Sequence, residues 1–339
     1  MTPEAIEQLK QAIDANDFER VRSLMTANPA LHRAPLGYGK DGPLTWVAEC
    51  RVPWEPPGEA RLAMARWMIE NGSDVHQGGD GPLMRAALKG QRIPMMELLV
   101  AHGADVNAMW HGHYPIVYAP CETLDPEALL WLLRRGANPN PPSGAALDFA
   151  IQTYGRSLPR LSACIEVLLD AGGVTRYREP WVLALLRGRP DDLARELFAA
   201  PELAHLRFPE LDCGVTAARL LTLRGATLLH VAAEYGSVEA ATLLMDYGAD
   251  VNAPAVIDAA GVGGQTPIFH AVSQFDDYGL PIARLLLDRG ADLSLRVRLP
   301  GHYERPGEVV ECTPLGYALR FPGTAGKTVA LLREHGAVE

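Results

Sequence analysis

The residues able to do chemistry lie in a few short strings. His111 and His113 form an HxH pair, and two imidazoles so close in sequence could begin a metal site if Cys121 or His76 came near. The string PGTAGKTVALL, Pro322 to Leu332, carries GKT at the start of a helical run, as a nucleotide-binding loop does. That loop also needs a glycine, then four residues, before GK[ST], and Phe321 stands at the glycine position here, with no strand predicted ahead of it. GVGGQT, from Gly261, departs from GxGxxG and falls in a turn, where glycine serves backbone geometry. No GxSxG nucleophile string occurs. Asp191 with Asp192 and Asp276 with Asp277 lie in loops or at helix starts, where carboxylates complement the helix dipole. The sequence thus points to no catalytic residue, no cofactor and no bound metal: a protein that is not an enzyme.

Composition narrows the classes further. With 48% hydrophobic residues over 339, the chain has ample apolar mass to fold. The five cysteines, Cys50, Cys121, Cys164, Cys213 and Cys312, are odd in number and form no CxxC pair, which fits reduced thiols. A formal charge of −10 disfavours a nucleic-acid partner, since phosphate binding needs clustered Lys and Arg. The N-terminal stretch lacks the basic and apolar regions of a signal peptide, and no apolar run reaches the roughly 18 residues of a membrane span. A cytoplasmic monomer with no membrane association is expected.

The elements that position these strings repeat along the chain. One phrase returns as NGSDVHQ from Asn71, HGADVNA from His102, RGANPNP from Arg135, AGGVTR from Ala171, YGADVNA from Tyr247, RGADLSL from Arg289 and HGAVE from His335. Each copy follows an apolar stripe at helical spacing, such as PMMELLV or ALLWLLR, and its glycine suits the left-handed residue that closes a helix. A second phrase lies upstream: GPLTWVAEC from Gly42, GPLMRAALKG from Gly81, YPIVYAP from Tyr114, ATLLHVAAEYG from Ala226, QTPIFHAV from Gln265 and CTPLGYAL from Cys312. Proline at the first helical position costs no hydrogen bond. The unit is turn, short helix, loop, longer helix. The gap from Gly172 to Gly248 is about twice the usual roughly 33 residues, so PWVLALLRGRPDDLARELFAAPELAHLR from Pro180 should hold a degenerate copy.

The pairing of TPLHxAA with GADVNA resembles the ankyrin repeat family, in its bacterial-type form, over almost the full chain. The resemblance implies an all-α solenoid of about eight to nine helix-turn-helix repeats with long finger loops. Two segments look like opening repeats, DFERVRSLMTANPALHR from Asp17 and the stretch from Pro180, which predicts an N-terminal array over 1–176 and a C-terminal array over 177–339. His230, the motif histidine, is expected to tie neighbouring turns together by hydrogen bonds.

The resemblance also implies a concave groove and a protein partner held there by a scaffold, adaptor or inhibitor. Matching the groove-facing position residue by residue gives Trp46, Arg85, Tyr118, Phe149, Leu183, Val231, His270 and Tyr317. Near them come Trp54, Tyr154, Tyr235, Phe275 and Phe321. Trp, Tyr and Arg dominate interface hot spots, although the same position also takes aromatics that pack between repeats. Long fingers at Ala108 to Pro115, Pro254 to Gln265 and Arg296 to Cys312, with an insertion at Arg51 to Arg61, add Trp110, His111, His113 and Tyr303 as contact residues. An alternative is a small-molecule or metal-dependent activity built from His111, His113, Tyr114, His302 and Tyr303.

Overall fold

The computed structural model describes residues 2–49, 56–208, 219–321 and 326–339. Trp54 therefore lies outside the described residues, as does the Pro322–Ala325 part of the GKT string. Helices alternate short and longer along the chain, as in Pro43–Glu49 followed by Glu59–Glu70, Leu228–Glu234 by Val238–Asp246, and Pro267–Ala271 by Leu280–Asp288. Short helices pack on short helices of the next repeat and long on long, so each covers the apolar stripe of its neighbour. The chain divides into two compact units, Met1–Phe149 with Val167–Val174, and Ala150–Glu166 with Thr175–Glu339.

The recurring phrase sets how each repeat ends and how it grips the next. After the longer helices Gly103, Gly136, Gly248 and Gly290 take φ of +102°, +85°, +87° and +88°, where a side chain would be strained. Asp105 Oδ1 then accepts the Asn107 amide at 2.8 Å, and Asp250 Oδ1 that of Asn252 at 2.9 Å, closing a tight turn. The asparagine reaches onward. Asn107 Nδ2 donates to the Gly136 carbonyl at 2.9 Å while its Oδ1 accepts the Asn138 amide at 2.8 Å. Asn140 does the same to Gly172 and Val174, and Asn252 to Gly290 and Asp292. Each bond contributes about 0.5–1.5 kcal/mol and fixes the spacing between repeats.

Helix starts follow the sequence rules. Asp125 Oδ1 caps Pro126–Arg134 through the Ala128 amide at 3.0 Å, and its Oδ2 accepts the Gly90 amide of the preceding repeat at 2.8 Å. His230 caps Leu228–Glu234 together with Thr227, and its Nε2 lies 3.0 Å from the Gln265 carbonyl, the inter-turn tie its motif position implied. Two repeats end without glycine. Helices Phe18–Ala27 and Pro190–Ala199 stop at Asn28 and Ala200, with φ of −138° and −142°, and run into the 3-10 turns Pro29–Arg33 and Pro201–Ala204. Leu31 and Leu203 of these turns are buried, so an apolar anchor replaces the glycine turn.

Among the described residues two fingers form paired β-strands within the helical framework. Met109–Trp110 pairs with Tyr114–Pro115, and Val297–Pro300 with Val309–Cys312, both antiparallel. The second hairpin alternates exposed and buried residues along Val309–Cys312, the period of two of a half-buried strand.

Candidate partner-binding surface

The first unit brings five of the expected contact residues together. The Trp110 ring meets those of His111 at 4.6 Å, His113 at 6.0 Å and Tyr114 at 5.9 Å between centroids. Tyr114 stands edge-on to Tyr118 at 5.7 Å and to Phe149 at 5.9 Å, and Tyr118 stacks on Phe149 at 4.1 Å. The set is continuous and graded in exposure: His111 and His113 face solvent, Trp110, Tyr114 and Phe149 are half-buried, and Tyr118 is buried. Tyr118 Oη donates to the Gly144 carbonyl at 2.8 Å, and burial pushes its phenol up from the ordinary value. Tyr114 Oη donates to Glu122 at 2.7 Å.

Asp41 anchors this surface. Its carboxylate accepts from Trp110 Nε1 at 2.5 Å and pairs with His111 Nε2 at 2.8 Å, while its side chain is only 3% exposed. The approach depends on glycine at Gly78. There φ is +72°, and a Cβ would meet the Asp41 carboxylate oxygen at 2.4 Å. The Gly78 carbonyl also accepts the His111 amide at 2.7 Å. The hairpin Met109–Pro115 is thus tied to the loops of two earlier repeats before any partner arrives.

Other expected contact residues lie apart from this set. Trp46 is half-buried; its Nε1 donates to Asp14 at 2.7 Å and Lys10 lies over its ring. Arg85 is engaged by the buried Glu49. In the second unit Phe275 and Tyr303 are exposed, with 43% and 50% of their surface accessible. Tyr235, His270 and Tyr317 are buried and hydrogen-bonded inside the unit. Tyr235 Oη donates to the Ile151 carbonyl at 2.6 Å, and Tyr317 Oη to that of Pro300 at 3.3 Å. His270 Nδ1 meets Glu234 Oε2 at 2.7 Å.

Glu234 is the centre of a buried ionic cluster. Arg219 Nη2 reaches Oε2 at 2.8 Å and Arg156 Nε reaches Oε1 at 3.0 Å. Burial alone would raise the Glu234 carboxyl, but Arg219, Arg156 and His270 outweigh it and hold the group far below the usual carboxylate range. Arg219 Nε and Nη1 are buried without a partner among the described residues, so this cluster positions side chains more than it stabilises. Asp41 stands outside the repeat phrases, and although Glu234 and His270 stand in them, the arginines that complete the cluster, Arg156 and Arg219, do not.

Little in the site resembles a reaction centre. Among the described residues no group of three or more His, Cys, Asp or Glu is placed to hold a metal ion. His113 Nδ1 lies 3.1 Å from the His111 carbonyl, a local turn contact. The helix Gly326–Glu334 that opens on GKT has its first amides occupied: Lys327 and Thr328 donate to the Asp277 carboxylate at 3.0 Å and 2.8 Å. Burial works against the Asp277 charge, yet these amides and the Thr328 hydroxyl hold its carboxyl below the ordinary value. No helix of the described residues is long and apolar enough to cross a membrane.

Comparison with known families now bears on the repeat. A profile of three successive ankyrin repeats matches residues 182–297, and a single ankyrin repeat profile matches residues 78–111. The chain is an ankyrin repeat-containing protein. No curated protein matches it. The single-repeat match runs through the first strand of the Trp110 hairpin and ends on His111. The stretch that lacked the glycine turn falls within the three-repeat match. Ankyrin repeats are generally protein–protein interaction modules and typically non-enzymatic.

Proposed function

We propose that this ankyrin repeat protein is a cytoplasmic scaffold, adaptor or inhibitor that binds a protein partner through the aromatic finger of its first unit. The observation that supports this reading is the continuous set Trp110, His111, His113, Tyr114 and Phe149, of which Trp110 and His111 are anchored by Asp41. A pre-ordered aromatic surface loses little side-chain entropy on binding, and Trp and Tyr provide most interface energy. The chain charge of −10 favours a partner whose facing surface is basic or mixed. Phe275 and Tyr303, both exposed, are available as further contacts in the second unit; Tyr235, His270 and Tyr317 act by supporting its interior.

The test is affinity capture from a lysate of the source organism, using wild type and a His113→Ala, Tyr114→Ala, Phe149→Ala triple variant whose circular dichroism matches wild type. A protein retained by wild type and lost by the variant is the expected result. Equal retention by both chains would move the partner away from this finger and overturn the reading.

A further inference from the structure

A second feature lies wholly in the second unit. The finger residues Val256 to Gln265 and the strand end Leu299–Pro300 face the run Leu221 to Gly225 across a cavity of about 560 Å³. That volume is in the range of ligand-binding clefts. Leu221 and Leu299 are buried in its walls, and Val256 lines it while remaining 52% exposed.

The polar groups around this cavity match a peptide main chain. Leu221 and Leu223 are buried while Thr222 and Arg224 are exposed, the alternation of an extended strand. The backbone N–H groups of Leu221, Thr222 and Leu223 have no partner among the described residues. In an extended run these point alternately to opposite sides, Thr222 toward Gln265 and Leu221 and Leu223 away from it, and an open main-chain donor beside Gln265 is a template for strand pairing. Gln265 is 4% exposed and donates through Nε2 to the Thr222 carbonyl at 3.1 Å. Its Oε1 is buried without a partner, an acceptor in the cavity wall that an amide N–H would satisfy. Arg224 and Asp258, of opposite sign, also line the cavity and suit a dipolar ligand better than one of a single charge.

We propose that this cavity binds an extended peptide segment of a partner, apolar at alternate positions, which pairs its main chain with the Thr222 N–H and Gln265 Oε1 and seats an apolar side chain against Val256 and Leu299. The proposal is independent of the aromatic finger of the first unit, and either reading can fail alone.

The probe is a displayed library of random linear peptides selected on the full chain, with an enriched peptide then made in fluorescein-labelled form. It is titrated against wild type, Val256→Asp, Thr222→Pro and Tyr114→Ala. Val256 is half exposed, so aspartate there changes the cavity wall and leaves the core intact; proline at Thr222 removes one edge N–H. Expected are peptides with apolar residues at alternate positions, whose affinity falls about tenfold or more in both second-unit variants and is unchanged in Tyr114→Ala. Should Thr222→Pro lower the melting temperature, amide exchange of Thr222 takes its place: protection on peptide addition is expected, and none would overturn the proposal. It is also overturned if no linear peptide is selected, if wild type and Val256→Asp bind alike, or if only Tyr114→Ala loses affinity. A small molecule retained by wild type in native mass spectrometry and released by Val256→Asp would assign the cavity to a different occupant.

Discussion

Asp41 and Trp110, 69 residues apart in sequence, meet through a 2.5 Å hydrogen bond that fixes the aromatic finger to the loop of an earlier repeat. The same carboxylate pairs with His111, so one buried side chain orients two contact residues. Asp41→Ala leaves the Trp110 N–H without its acceptor and should lower stability by about 1–3 kcal/mol in urea titration. Amides of Met109 to Pro115 should lose hydrogen-exchange protection in the same variant. Asp41→Asn keeps an acceptor for Trp110 but loses the charge facing His111, and should fall between the two. Unchanged exchange across the finger in Asp41→Ala would remove Asp41 from its anchoring role.

Leu168, on the longer helix Leu158–Asp170, is fully buried. Truncation leaves a cavity that the rigid packing of stacked helices fills poorly, so Leu168→Ala should cost about 2–5 kcal/mol. Chemical denaturation monitored by circular dichroism gives the value, and a loss below about 0.5 kcal/mol would show that the site relaxes or is packed loosely.

Much of this architecture is legible from spacing, because the glycine turn, the proline start and the leucine stripe are local devices. Gly103 and Gly248 reveal their roles in a few neighbouring residues. Asn107 and Asn252 stand in the same phrase, but their bonds end on Gly136 and Gly290, and only the fold shows that they join repeats. The contact surface was less legible. A groove-facing position in the repeat yields a half-buried Phe149 in one copy and fully buried His270 and Tyr317 in others, since exposure depends on what neighbouring loops place over it. Glu234 follows the motif by four residues from His230, yet the arginines that neutralise it, Arg156 and Arg219, lie in segments with no repeat signature.

Asp277 occupies the helix start that the GKT string suggested for a phosphate. Asp277→Ala should destabilise the chain by about 0.5–2 kcal/mol, the loss of a helix cap. Since the folded carboxyl is held below its ordinary value, its contribution is present at neutral pH and is lost as pH falls below the normal carboxylate range. Magnesium-ATP should leave the melting temperature of wild type and variant unchanged. A nucleotide-dependent rise in either would reopen the phosphate reading.

His230 and His270 make the second unit sensitive to acid. Burial lowers both imidazoles, His230 to about 3, and for His270 the nearby Glu234 only partly offsets it. Both are therefore neutral when folded at pH values where an unfolded histidine, titrating near 6.5, already takes a proton. For His230 stability is full above that value and falls as pH drops from 6.5 toward about 3, by up to about 1.4 kcal/mol per pH unit, and His270, shifted in the same direction, adds to the loss. Glu234, held in its charged form by Arg219 and Arg156, adds a further loss once pH passes below the unfolded carboxylate value. Urea midpoints measured between pH 7.5 and 5 should decline in wild type. His270→Gln keeps a donor for Glu234 but cannot titrate, so it should be less stable at neutral pH and show a shallower decline. A flat wild-type profile over this interval would mean that these histidines take up protons in the folded chain as readily as in the unfolded one.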